Sequence, residues 1–379
     1  MEFDSAGHPA PVDLSILHGL YRSLFEPVLP HLAGVDHVMV IAAGALQSLP
    51  LGMLVASPPP QITSDADYRQ VDWLASHYAF SVLPSVSSIQ ALRQFARKPG
   101  EQKPFAGIGD PLIGNAREGA EGSSDKIARG KRTRVDVAAV FRNLVLSTKI
   151  NPNAAVIVPA GENVEIADVE AIRGAPRLAE TADELRAMAK ALKSDANSLW
   201  LQQSATESTI KRLDLARYRT LAFATHGVMA GEIKGIGEPG LILTPPQQGS
   251  PEDDGYLSSS EIARLKLNAD WVVLSACNTA AADGTPGAEG LSGLAKAFFY
   301  AGARSLLVSH WPVASEATVL LTTVMMKEYE ANPGNGKAEA QRKAMLALIA
   351  TPDHPEYAHP MFWAPFVVVG EGGTENWRP

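Results

Sequence analysis

Cys277 is the only cysteine among 379 residues, and it follows the apolar run Trp271–Ala276. His226 follows a second such run, Leu221–Ala224 within LAFATHGV. Short apolar runs of this kind read as strands buried on both faces of a sheet. Open parallel sheets place reactive groups beyond the carboxyl ends of their strands. A histidine and a cysteine that each end a strand can therefore meet at one sheet edge. A free thiol has a pKa of about 8.5 and is mostly protonated at pH 7. A neighbouring imidazole can take its proton and later protonate a leaving amine. The backbone N–H groups of Gly227 and Cys277 are available to hold the oxyanion of an acyl-transfer step. The plain alternative is a buried cysteine serving as a small hydrophobe and an unrelated histidine. Small, glycine-rich stretches after both strand ends favour chemistry.

The elements that must position this pair alternate between strand-like and helix-like segments, the pattern of an α/β protein with a largely parallel sheet. The expected strands are His37–Ala42, Ala79–Leu83, Phe105–Gly109, Ala155–Pro159, Ser198–Leu201, Thr220–Thr225, Trp271–Ala276, Arg304–His310 and Pro365–Val369. The expected helices are Leu14–Phe25, Ser85–Arg97, Ala179–Leu192, Ser258–Lys266, Ala288–Ala301, Ser315–Tyr329 and Gly336–Ile349. Ser258 stands three residues before Glu261, the spacing of a capping box. Residues 113–134 offer no apolar face and read as a long surface loop, as does Pro245–Gly255.

Composition narrows the function classes. The chain is 46% hydrophobic and 20% charged, which suits a fully cored globular protein. A net charge of −8, from 33 basic against 41 acidic residues, gives no electrostatic footprint for nucleic acid. One cysteine excludes a disulfide framework and any Cys-based metal centre. No cofactor or metal is expected. Acidic residues stand at the N-terminus where a signal peptide needs basic ones, and no apolar stretch is long enough to span a membrane. The expected setting is therefore cytoplasmic, without membrane binding. GIGEPG (Gly235–Gly240) matches a dinucleotide fingerprint, but it lacks the strand before and the helix after that the motif requires. His354 and His359, in a proline-broken segment, read as surface residues.

His226 precedes Cys277 by 51 positions, close to the spacing found in caspases, although SACNT replaces the caspase tetrad. Longer blocks carry a broader resemblance. LYRSLFEPVLPHLAGVDHVMVIAAGALQSLPLGMLVA, YAFSVLPSVSSIQAL, RLAETADELRAMAKAL, LAFATHGV, DGYLSSSEIARLKLNADWVVLSACNTA, GAEGLSGLAKAFFYAGARSLLVSHWPV and HPMFWAPFVVVG together resemble the CHAT domain of caspase-like cysteine peptidases.

That resemblance implies a caspase-like α/β/α sandwich with a mainly parallel sheet. It also implies two related halves, an inactive pseudo-caspase half over residues 1–190 and a catalytic half over residues 191–379. His226 would be the general base and Cys277 the nucleophile of a dyad, with Gly227 and Cys277 forming the oxyanion hole. Ser309, His310 and Trp311 would line the groove for a protein substrate. Family members often act with tetratricopeptide-repeat sensors, and some cleave gasdermin-like proteins in bacterial defence. The acidic residues usual after WPV are missing, since Ala314 and Ser315 precede Glu316. This departure supports the rival expectation of a catalytically silent, caspase-like interaction module. Glycine-rich residues 231–240 and 280–288 are the segments expected to order on activation by a partner.

Overall fold

The computed structural model describes residues 9–83, 102–114, 166–230, 237–275, 293–311 and 315–373. The helix expected at Ser85–Arg97, the strand expected at Ala155–Pro159 and nearly all of the 113–134 loop lie outside the described residues.

The chain opens with helix α1 (Leu14–Leu24), capped by Asp13, whose carboxylate accepts from the Ser15 and Ile16 amides. Strands β1 (His37–Val40), β2 (Ala79–Val82) and β3 (Lys103–Gly109) follow. Next come α2 (Val169–Arg173), α3 (Thr181–Ala191), β4 (Leu199–Leu201), α4 (Glu207–Arg212) and β5 (Tyr218–Ala224). Three very short strands, β6 (Gly227–Val228), β7 (Gly240–Ile242) and β8 (Tyr256–Ser258), precede α5 (Ser259–Arg264) and β9 (Trp271–Ser275). The chain ends through α6 (Gly293–Ala301), β10 (Ser305–Ser309), α7 (Ser315–Ala331), α8 (Lys337–Ile349), α9 (Pro360–Trp363) and β11 (Phe366–Gly370). The capping box forms as its spacing predicts. Ser258 bonds the Glu261 amide and Glu261 bonds back to Ser258.

Eight strands form one sheet in the order β1-β2-β11-β10-β9-β5-β3-β4. Every neighbouring pair is parallel except β10 with β11. Strands β1 and β2, from the first half of the chain, extend the sheet beyond β11, while β3 inserts between β5 and β4.

Alternation along the strands builds two cores. Ala222 and Ala224 of β5, Trp271 and Val273 of β9 and Leu307 of β10 face one cluster with α1, α3, α7 and α8. Leu221 and Phe223, Val272 and Leu274, and Leu306 and Val308 face the other, with α4, α5 and α6. The sheet is thus covered on both sides, which is why its strands are nearly unbroken apolar runs. The fold is the mixed α/β sandwich that the sequence resemblance implies. Among the described residues no helix is long and apolar enough to cross a membrane.

Strands β6, β7 and β8 form a separate antiparallel sheet in that order. Sequence reading misses it because two- and three-residue strands carry no measurable alternation.

Candidate functional site

Strand β5 lies between β3 and β9, parallel to both, with Gly109 level with Ala224 and Ala224 level with Ser275. A Cβ on Gly109 would meet the Ala224 carbonyl oxygen at 2.5 Å, so the closeness of β3 and β5 here depends on glycine. Strand β10 runs parallel to β9 on its other side. The carboxyl ends of β3, β5, β9 and β10 therefore share one edge, the place where open α/β sheets gather ligands. His226 stands two residues beyond Ala224. Cys277 stands two residues beyond Ser275 in sequence, but residues 276–292 lie outside the described residues, as do residues 231–236.

The histidine is held firmly. The Thr225 hydroxyl donates to the Ile242 carbonyl at 2.6 Å, and the Ile242 amide donates to the His226 carbonyl at 3.0 Å. These bonds dock the turn onto β7. The His226 side chain is buried, with its Nε2 2.7 Å from the Pro176 carbonyl oxygen. A carbonyl can only accept, so Nε2 carries the hydrogen and the neutral ring keeps its lone pair on Nδ1. Burial lowers the His226 pKa below the ordinary value, against the opposing pull of the Pro176 carbonyl and the Glu180 charge. The ring is thus a neutral base near pH 7. In the β6–β7 ladder Gly227 is level with Leu241, and the bond between Ile242 and His226 marks this as a non-hydrogen-bonded pair. The Gly227 N–H accordingly points away from β7.

One short segment, from Pro176 into α3, touches the ends of three neighbouring strands. Pro176 holds His226 beyond β5. Arg177 makes a bidentate pair with Asp110 just past β3, at 2.8 and 2.9 Å. Asp110 is buried, adopts a positive φ of 46°, accepts from Gln202 at 3.2 Å, and donates its amide to the Thr181 hydroxyl at 3.0 Å. Glu184, on the buried side of α3, accepts from the Ser275 hydroxyl at the end of β9 at 2.9 Å. Burial pushes the Glu184 carboxyl up to about 7, against the hydrogen bond from Ser275 and the nearby Thr322 hydroxyl.

Ser309, the last residue of β10, is buried, and the His310 amide donates to the Pro365 carbonyl at 2.8 Å. Burial drives the His310 pKa down to about 4, so its ring is neutral near pH 7. Trp311 gives its indole N–H to the Met361 carbonyl at 3.0 Å and packs against the core. Ser309 thus ends β10 and His310 and Trp311 follow it, on the side of β9 away from β5. His359 is not a surface residue. It is 1% exposed, and its Nδ1 caps α9 by accepting from the Met361 amide at 3.1 Å. His354 keeps its expected exposure beside Glu356. Among the described residues no cluster of histidine, cysteine or acidic side chains suits a metal ion.

Sequence reasoning missed Pro176, Asp110, Arg177 and Glu184. Two of them left a signal. Asp110 is an acid at the carboxyl end of a strand. Glu184 occupies an apolar-face position of α3, between Thr181 and Leu185–Met188, where an aliphatic residue is expected.

The CHAT domain family model matches residues 14–371. A mouse (Mus musculus) protein, tetratricopeptide repeat protein 28, is 27% identical over 161 residues, which cover 38% of this chain. The chain spans only about 6% of that relative's length. Among solved structures, the Arg-specific cysteine proteinase gingipain R aligns with 95% of this chain and 67% of its own, at 8% identity and a TM-score of 0.42. The Saccharomyces cerevisiae separase–securin complex aligns with 95% of this chain and 17% of its own, at 12% identity and a TM-score of 0.42. The chain belongs to the CHAT domain family.

Proposed function

We propose that this CHAT domain is a cysteine endopeptidase in which His226 is the general base and Cys277 the nucleophile. The observation that carries the reading is the register of β5 and β9. Ala224 is level with Ser275 at the ends of two parallel strands, and the histidine and the cysteine each follow two residues later in sequence. The His226 tautomer supports it as well, because the Pro176 carbonyl leaves Nδ1 free to act as base.

In this mechanism His226 Nδ1 takes the Cys277 proton, and the thiolate sulfur attacks the scissile carbonyl carbon. The N–H groups of Gly227 and Cys277 hold the resulting oxyanion. As the C–N bond breaks, the imidazolium gives its proton to the leaving amine, and a thioacyl-enzyme remains. His226 then deprotonates a water molecule, which attacks the thioester and releases the acid and the free thiol. No step draws on a metal or a cofactor.

Ser309, His310 and Trp311 are assigned to the substrate groove because they stand at and just beyond the end of the strand next to β9. The catalytic residues both fall within residues 191–379, with residues 1–190 as the related, inactive half. The substrate is a protein, of gasdermin-like type in a cytoplasmic defence setting. The partial match to a tetratricopeptide repeat protein supports a repeat-containing sensor as the activating partner.

The test is cleavage of a peptide library by the wild-type chain and by Cys277→Ala and His226→Ala. Wild type should give a defined cleavage profile that vanishes in Cys277→Ala and falls at least a hundredfold in His226→Ala, within the range of general-base catalysis. Undiminished cleavage by Cys277→Ala ends the proposal.

A further inference from the structure

We propose that Glu184 is a positioning residue for the Cys277 thiol, acting through its hydrogen bond to Ser275. The inference rests on the reading of Cys277 as nucleophile and adds to it a residue that lies outside the dyad.

Glu184 is 3% exposed and sits between α3 and the sheet. Its Oε2 accepts from the Ser275 hydroxyl at 2.9 Å. Its Oε1 is buried with no hydrogen-bond partner among the described residues. Thr322 of α7 and the charge of Glu180, one turn earlier at the start of α3, are the other polar groups that act on it. A carboxyl group is an expensive filler for such a place. An aliphatic side chain carries no polar atom to satisfy there, whereas a buried oxygen with no partner costs free energy. What the carboxyl gains is a grip on the final residue of β9. Two residues of chain span at most about 7 Å, so the position of Ser275 largely sets where Cys277 begins its excursion. The same segment holds His226 through Pro176. Helix α3 and its lead-in thereby hold the His226 ring and the last residue of β9 against one rigid element, the kind of support that precise geometry at a reacting pair requires.

Because the chain has one cysteine, the rate of alkylation by iodoacetamide reports Cys277 alone, whether or not a substrate is known. The measurement is that rate from about pH 5 to about pH 9 in wild type, Glu184→Ala, Glu184→Gln, Ser275→Ala and His226→Ala. Loss of the hydrogen bond in Glu184→Ala or Ser275→Ala should slow alkylation at mildly acidic pH by about tenfold. It should also move the profile toward that of an ordinary thiol, near 8.5. The amide oxygen of Glu184→Gln accepts the same bond, so this variant should stay within about twofold of wild type. Wild-type profiles in both Glu184→Ala and Ser275→Ala overturn the proposal, as does a Glu184→Gln variant as impaired as Glu184→Ala. If Glu184→Ala does not fold, Ser275→Ala, at the more accessible end of the bond, decides alone. His226→Ala reads the dyad separately. An unchanged profile there removes the imidazole from the mechanism, while the Glu184 and Ser275 variants still report whether the thiol is positioned.

Discussion

The His226 imidazole gives its Nε2 hydrogen to the Pro176 carbonyl, 2.7 Å away, across fifty positions of sequence. This contact decides which nitrogen can act as base. Burial acts in the same direction by lowering the pKa, so the ring stays neutral at pH values where an exposed histidine begins to charge. Nitrogen-15 NMR of the ring should show Nε2 protonated and Nδ1 bare near pH 7, with a titration midpoint below the ordinary 6.5. A protonated Nδ1, or a midpoint above that value, would remove the assigned base.

Glu184 makes a prediction about stability that is separate from its effect on the thiol. Its pKa rises from 4.5 to about 7 on folding, so the folded state holds a proton that the unfolded state has released. Stability from this group must therefore fall as pH rises between those values, and the cost is complete above the folded pKa. A shift of this size corresponds to about 3 kcal/mol. Glu184→Gln does not titrate. Its stability relative to wild type should therefore improve by about 3 kcal/mol between pH 4.5 and pH 8, whatever constant cost the amide adds. Urea unfolding at the two pH values measures this directly, and a difference that does not change with pH refutes the buried, protonated carboxyl.

The sheet was legible in the sequence because it is buried on both faces. LAFA and WVVL are apolar throughout, and the residues after them mark the edge where the strands stop. The histidine and cysteine motifs were readable for the same reason. Asp110 and Glu184 left only the mark of an acid out of place, and Arg177 left none, because what they do lies in contacts between segments 67 and 91 positions apart. No local period encodes such distances. His359 was misread because a proline-rich neighbourhood suggested surface, whereas Pro360 opens a helix that the histidine caps.

The pair between Arg177 and Asp110 gives the remaining prediction. Asp110 is 1% exposed and Arg177 34%, so the carboxylate is buried and the guanidinium reaches it from the rim. Arg177 directly follows Pro176, the residue that holds His226. Arg177→Met leaves a buried carboxylate with only Gln202 and no charge to meet it. Removing one partner of a fully buried pair costs about 3–5 kcal/mol, and the partial exposure of Arg177 argues for the lower end. Arg177→Lys keeps the charge but cannot form the two parallel bonds, so its loss should be smaller. Denaturant unfolding should therefore order the proteins as wild type, Arg177→Lys, Arg177→Met. In Asp110→Asn the two arginine variants should differ much less, because the charge they answer is gone. Equal losses for Arg177→Met in both backgrounds would show that arginine packing, and not its pairing with Asp110, secures the segment behind His226.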